Sequence, residues 1–118
     1  MLFATAWLKA FLLTLLVETP IAAALFRPVE PRLPRRVALI LFANLASHPA
    51  VWFIFPNLGL RYSPALVIAE AWAVLVEAAF YRLVFEESDA VEALGISALA
   101  NGASLGIGLL VRGATGWV

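Results

Sequence analysis

The side chains with chemical capability are few, and they stand inside apolar stretches: Glu18, Glu70 and Glu77, the amides Asn44 and Asn101, and one histidine, His48. Around them are Thr14, Ser47, Tyr81, Ser97 and Ser104. Their spacing is helical. Thr14 and Glu18 are four residues apart, as are Asn44 and His48; Glu70 and Glu77 are seven apart, with Tyr81 one turn on; Ser97, Asn101, Ser104 and Gly108 continue one stripe. Residues so spaced share a helix face. Carboxyls on the inner faces of apolar helices are suited to binding a cation, a proton or a cationic compound, the use to which acids inside membranes are commonly put. The alternative is structural: protonated glutamates and asparagines can join helices by hydrogen bonds worth about 0.6–2 kcal/mol each.

Other chemistries find little support. The chain has no cysteine, which excludes disulfides, thiolate metal sites and cysteine nucleophiles. His48, alone before Pro49, lacks the paired spacing of a zinc motif. No serine stands with an evident base, and paired carboxylates alone do not name a reaction. An enzyme is therefore the least favoured class, and no metal or cofactor is expected. Formal net charge is zero, without a basic block, so nucleic acid is not expected as a partner.

The elements that must hold these residues follow from composition. Of 118 residues, 64% are hydrophobic and only 14% charged, with a mean hydropathy of +0.96. A soluble domain of this size leaves much of its surface in water and needs more charge. Four stretches approach the roughly 20 apolar residues that span a bilayer: about 2–26, 37–55, 64–81 and 93–111. An all-α polytopic membrane protein is predicted, one transmembrane domain over residues 1–118 with the lipid bilayer as its surroundings. The segment from Arg27 to Arg36, with three prolines, cannot continue a helix. Pro56 to Pro64 reads as a turn, and 85–90 as an acidic loop in which Ser88 or Asp89 caps the fourth helix. Lys9, the apolar run and Ala22-Ala23-Ala24 also fit a secretory signal, but the repeat described below makes the first stretch part of the fold.

Arg27, Arg32, Arg35, Arg36 and Arg82 lie in or beside the first and third loops, against Arg61, Arg112 and Lys9 on the other side. The positive-inside rule then puts loops 1 and 3 in the cytoplasm and both termini outside. Counted from loops 1 and 3 at about 1.5 Å per residue, Glu18, Asn44, Glu77 and Asn101 form one layer roughly 8–15 Å deep. His48, Glu70 and Ser104 lie deeper, at roughly 18–20 Å by the same rise. No lysine or arginine is expected at these depths. Either at least one glutamate is protonated or a cation completes the layer. Pro20 and Pro49 read as kinks beside it.

The two halves look alike. Leu16-Val17-Glu18 recurs as Leu75-Val76-Glu77, and Ala43-Asn44 with Ser47 recurs as Ala100-Asn101 with Ser104. The Glu-to-Asn intervals are 26 and 24 residues. Helices 1 and 3 run in the same direction, so this is a parallel two-helix repeat with its pseudo-twofold along the membrane normal. Ala98, Gly102 and Gly106 give the fourth helix a small-residue stripe suited to close helix packing. Trp7, Trp52, Trp72 and Trp117 fit an outer interfacial belt.

Four short motifs run through these helices: E-x-P at Glu18 to Pro20, N-x-x-S-x-P at Asn44 to Pro49, E-x-x-x-Y at Glu77 to Tyr81, and S-x-x-x-N-x-x-S at Ser97 to Ser104. They resemble a pattern in small, uncharacterised four-helix bacterial membrane proteins. The resemblance covers all four helices and implies the architecture and the four-residue layer, without an assigned activity. Two functions are expected: a small transporter or channel-like protein of the bacterial inner membrane, working as a homo-oligomer, or a non-catalytic subunit or assembly factor of a larger membrane complex.

Overall fold

The computed structural model describes residues 2–117, the Leu2 side chain aside. Four helices follow one another: α1 (Leu2–Leu25), α2 (Leu33–Phe53), α3 (Tyr62–Val84) and α4 (Ala90–Thr115), with a 3-10 turn at Phe55–Asn57. All four are long and apolar enough to cross a membrane. In hydrocarbon each backbone amide must bond within its own segment, so these sequences become helices. The outward surface is apolar: Leu16, Val67, Leu83, Val91 and Leu110 are among its most exposed side chains. The buried set, by contrast, includes Glu18, Glu77, Asn44, Asn101, Ser47, Ser97 and Ser104. Polar inside and apolar outside is the arrangement that contact with a lipid bilayer demands.

The helices alternate in direction and form a ring. Each packs on its sequence neighbours, and α4 closes the ring against α1. Thus α1 faces α3, and α2 faces α4, across the bundle axis. At the end carrying loops 1 and 3, Ala22, Ala23, Phe26, Ile40, Ala43, Tyr81, Phe85, Ala93 and Ile96 form the apolar core.

Helix boundaries follow local chemistry. α2 begins at Leu33, four residues before the expected start, because Pro34 falls in its first turn, where a missing amide hydrogen costs nothing. Asp89 caps α4 by accepting the Glu92 amide at 2.7 Å. α4 runs on to Thr115 and stops where Gly116 adopts φ 65°, a left-handed turn that glycine takes without strain. Pro20 and Pro49 sit within unbroken helices. Both are exposed, so the amides they lack are missing from the outer side of the bundle and not from beside the polar layer.

Loop 1 is held by its own charges. Glu30 accepts from Arg32 Nε at 2.9 Å and pairs with Arg35 Nε at 3.0 Å. The Arg32 hydrogen bond holds the Glu30 carboxyl below the usual carboxylate range. A group so lowered stabilises the fold above its unfolded pKa, about 4.3 for glutamate, and loses that contribution as pH falls through its folded value. Protection of the amides of residues 26–33, taken relative to their intrinsic exchange rates at each pH, is therefore expected to fall below about pH 4. Glu30→Gln should exchange fast at every pH; slow exchange in that variant at neutral pH would show that the clamp does not order the loop. Arg36 serves loop 1 differently. It is buried, and its guanidinium donates to the Ala23 carbonyl near the end of α1.

Candidate functional site

Where the four helices face one another, their polar stripes meet. Glu77 on α3 is the hub. Ser47 Oγ of α2 donates to its Oε1 at 2.6 Å, and Asn101 Nδ2 of α4 donates to its Oε2 at 2.7 Å. Across the axis, Ser104 Oγ of α4 donates to Glu18 Oε1 of α1 at 2.7 Å. Ser97 Oγ ties α4 to α3 through the Val74 carbonyl at 2.8 Å. Asn101 Nδ2 also reaches the Ser97 carbonyl at 2.9 Å, and Asn44 Nδ2 bonds the Ile40 carbonyl at 3.0 Å in its own helix.

The glutamate layer is rich in acceptors. Glu18 Oε2 and Asn44 Oδ1 are buried without a hydrogen-bond partner, as is the Tyr81 hydroxyl nearer loops 1 and 3. Glu18 and Glu77 repel each other when both are charged, and Glu70 adds to that repulsion. Among the described residues the only ion pairs are those of Glu30 with Arg32 and Arg35, so no basic side chain neutralises the interior acids. No three His, Cys, Asp or Glu side chains among them converge as a metal-binding group.

A cavity of about 180 Å³ leads to this layer, lined by residues from all four helices. Glu18 and Glu77 lie at its inner end and Tyr62 and Arg112 at the other; along α3 alone, Glu77, Ala73, Glu70, Leu66 and Tyr62 line it. The fifteen rises of helix from Tyr62 to Glu77 make this wall about 22 Å long. Beyond the glutamates, toward loops 1 and 3, the apolar core blocks the way. The Phe26 and Phe85 rings stack at 4.4 Å there, with Tyr81 packed edge-on against Phe26 at 4.8 Å.

Of the residues singled out from sequence, Glu18, Ser47, Glu77, Asn101 and Ser104 are joined by side-chain hydrogen bonds and line the cavity, with Thr14, His48 and Glu70 further along its wall. Asn44 is buried beside the layer with its oxygen unpaired, and Tyr81 belongs to the apolar plug. His48 Nδ1 accepts the Trp7 indole hydrogen at 3.0 Å, and its ring packs against Phe11 at 4.9 Å. Trp7 and Trp52 thus surround His48, a role beyond interfacial anchoring. Ala98, Gly102 and Gly106 lie on the outer face of α4, and no neighbouring atom stands within 4 Å of where a Cβ on either glycine would be. Trp52, Tyr62, Leu66 and Arg112 line the cavity without having been singled out for it. Arg112 was within reach of the sequence, since it lies one turn beyond Gly108 on the α4 stripe.

The fold and this network define a four-span membrane protein with a buried Glu/Asn/Ser hydrogen-bond network. Comparison with known proteins finds no matching family model, no similar curated protein and no similar solved structure.

Proposed function

We propose that the chain is a small membrane transporter or channel-like protein in which Glu18 and Glu77 bind a cation, a proton or a cationic compound. The observation that carries this reading is the cavity ending on two buried carboxyls with no basic partner among the described residues. Carboxylates this close, taken out of water, require a proton or a positive ligand. Asn101 and Ser47 hold Glu77, Ser104 holds Glu18, and Asn44 offers a free acceptor beside them. His48 and Glu70 continue the path along the wall.

The loop arginines orient this path. With loops 1 and 3 in the cytoplasm of a bacterial inner membrane, the cavity opens to the outside and the aromatic plug faces inward. The bonds Ser47 to Glu77 and Ser104 to Glu18 are counterparts under the proposed repeat, which supports reading the halves as related. So does the Phe26–Phe85 stack, each ring eight residues beyond its glutamate. The four-motif resemblance to small bacterial membrane proteins agrees with this layer.

The test is flux. Proteoliposomes containing the chain are expected to dissipate an imposed cation or pH gradient, and the Glu18→Gln, Glu77→Gln double variant to fall to the rate of empty liposomes while keeping its helical content. Transport by the double variant at the wild-type rate would end the proposal. The second reading, a subunit of a larger complex, is favoured by one observation: the small-residue stripe of α4 faces outward, where a neighbouring helix could pack. A native mass spectrum from mild detergent separates the two. A lone chain or homo-oligomer fits transport, and a fixed mass with other polypeptides fits a subunit.

A further inference from the structure

Resting on the reading of the glutamates as a cation site, we infer that the ligand is a small organic monocation, a protonated amine carrying an apolar body, and not a bare metal or alkali ion. The lining carries the inference. A hard inorganic cation is held by about six to eight oxygens. Here the layer offers few such oxygens, the carboxyls of Glu18 and Glu77 with Asn44 Oδ1 and two serine hydroxyls, and no three His, Cys, Asp or Glu side chains among the described residues converge. Glu18 Oε2 is wholly buried and receives no donor from a neighbouring residue; the Glu18 and Glu77 carboxyls stand close enough to share a proton, and a proton or a positive ligand there satisfies both. Glu70, seven residues nearer the entrance on α3, has neither a hydrogen bond nor a counter-ion among the described residues.

Between and beyond these two acids the wall changes character, to Val51, Trp52, Leu66, Leu105 and Leu109. Such a wall gives an inorganic ion nothing in exchange for its lost water, but it receives a hydrocarbon body well. Trp52 adds an aromatic side chain to the lining, a group to which ammonium ions are drawn. The space of about 180 Å³ is more than a bare ion can fill; a single water needs only roughly 10–15 Å³. Arg112 at the entrance stacks over the Tyr62 ring, 6.0 Å from its centre, and lies exposed, where water and salt screen its charge.

The experiment is a titration of the full chain in neutral detergent with benzylammonium, its uncharged analogue benzyl alcohol, potassium and manganese(II), read by tryptophan fluorescence and calorimetry. Saturable binding of benzylammonium alone is expected, weakened at least about tenfold by Glu70→Gln, which should unfold at the wild-type temperature. Loss of one charge-assisted contact, about 1.5–3 kcal/mol, corresponds to that factor or more. If potassium or manganese saturates a site that depends on Glu18 and Glu77 and benzylammonium does not, the organic-cation inference falls and the cation site stands. Equal binding of benzylammonium and benzyl alcohol, indifferent to Glu70→Gln, would reveal simple partitioning and overturn the inference. If no cation binds in a glutamate-dependent way, both the inference and the reading beneath it fail.

Discussion

Replacing Glu77 by alanine is expected to destabilise the bundle by about 2–3 kcal/mol, and replacing it by glutamine by less than about 1 kcal/mol. Glu77 carries hydrogen bonds to two other helices, α2 through Ser47 and α4 through Asn101. Alanine leaves both donors in a dry interior, where each orphaned group costs about 1–3 kcal/mol in a soluble core. In a membrane bundle the measured value per contact is lower, near 0.6 and at most about 1.7 kcal/mol, because separated helices also find partners. Two such losses and a void bring the sum to the stated range. Glutamine keeps the shape. Its oxygen can accept from Asn101, its amide can donate to the Ser47 oxygen, and the Ser47 hydrogen can turn fully to the Asn44 carbonyl, already 3.3 Å away. Detergent unfolding followed by circular dichroism measures the difference. Equal midpoints for the two variants would show that Glu77 does not join the helices, leaving its negative charge as its only contribution.

Much of this layer is legible from spacing, because a helix converts intervals of three, four and seven residues into a face. Four apolar spans, each with polar residues on one stripe, leave few arrangements that keep carboxyls out of lipid. Pairing is another matter. The spacing places Glu18, Asn44, Glu77 and Asn101 at one depth, but α2 and α4 each flank both α1 and α3, so neither spacing nor helix order says that Asn101 bonds Glu77 while Asn44 bonds only its own helix. Arg36 looks from sequence like one more loop arginine, yet it is buried against the Ala23 carbonyl, because α2 starts early enough to carry it into the bundle. The glycines of α4 satisfy a packing pattern but lie on the outward side, since the Ser97–Asn101–Ser104 stripe claims the inner one. Trp7 could be read as an anchor from its depth alone; its bond to His48 joins residues 41 positions apart and left no local trace.

The plug beyond the glutamates gives the other large effect. Tyr81→Ala is expected to cost about 2–4 kcal/mol, and Tyr81→Phe to leave stability unchanged or raise it by up to about 1 kcal/mol. The ring is fully buried between the bundle axis and loops 1 and 3, packed on Phe26 at 4.8 Å and on Phe85 at 6.0 Å. Removing a large aromatic from a soluble core costs about 3–5 kcal/mol, part of it from transfer out of water. That part is small where separated helices sit in lipid, so the void supplies most of the loss here. The hydroxyl acts in the opposite sense: it is buried without a partner, and its removal relieves a polar group that receives nothing from its surroundings. The same pair of variants reports on the path. If the ring closes the inner end of the cavity, Tyr81→Ala proteoliposomes should leak protons while Tyr81→Phe ones stay tight and keep wild-type flux. Loss of flux in Tyr81→Phe, with its stability intact, would instead place the hydroxyl on the path the cation or proton takes from the glutamates toward loops 1 and 3.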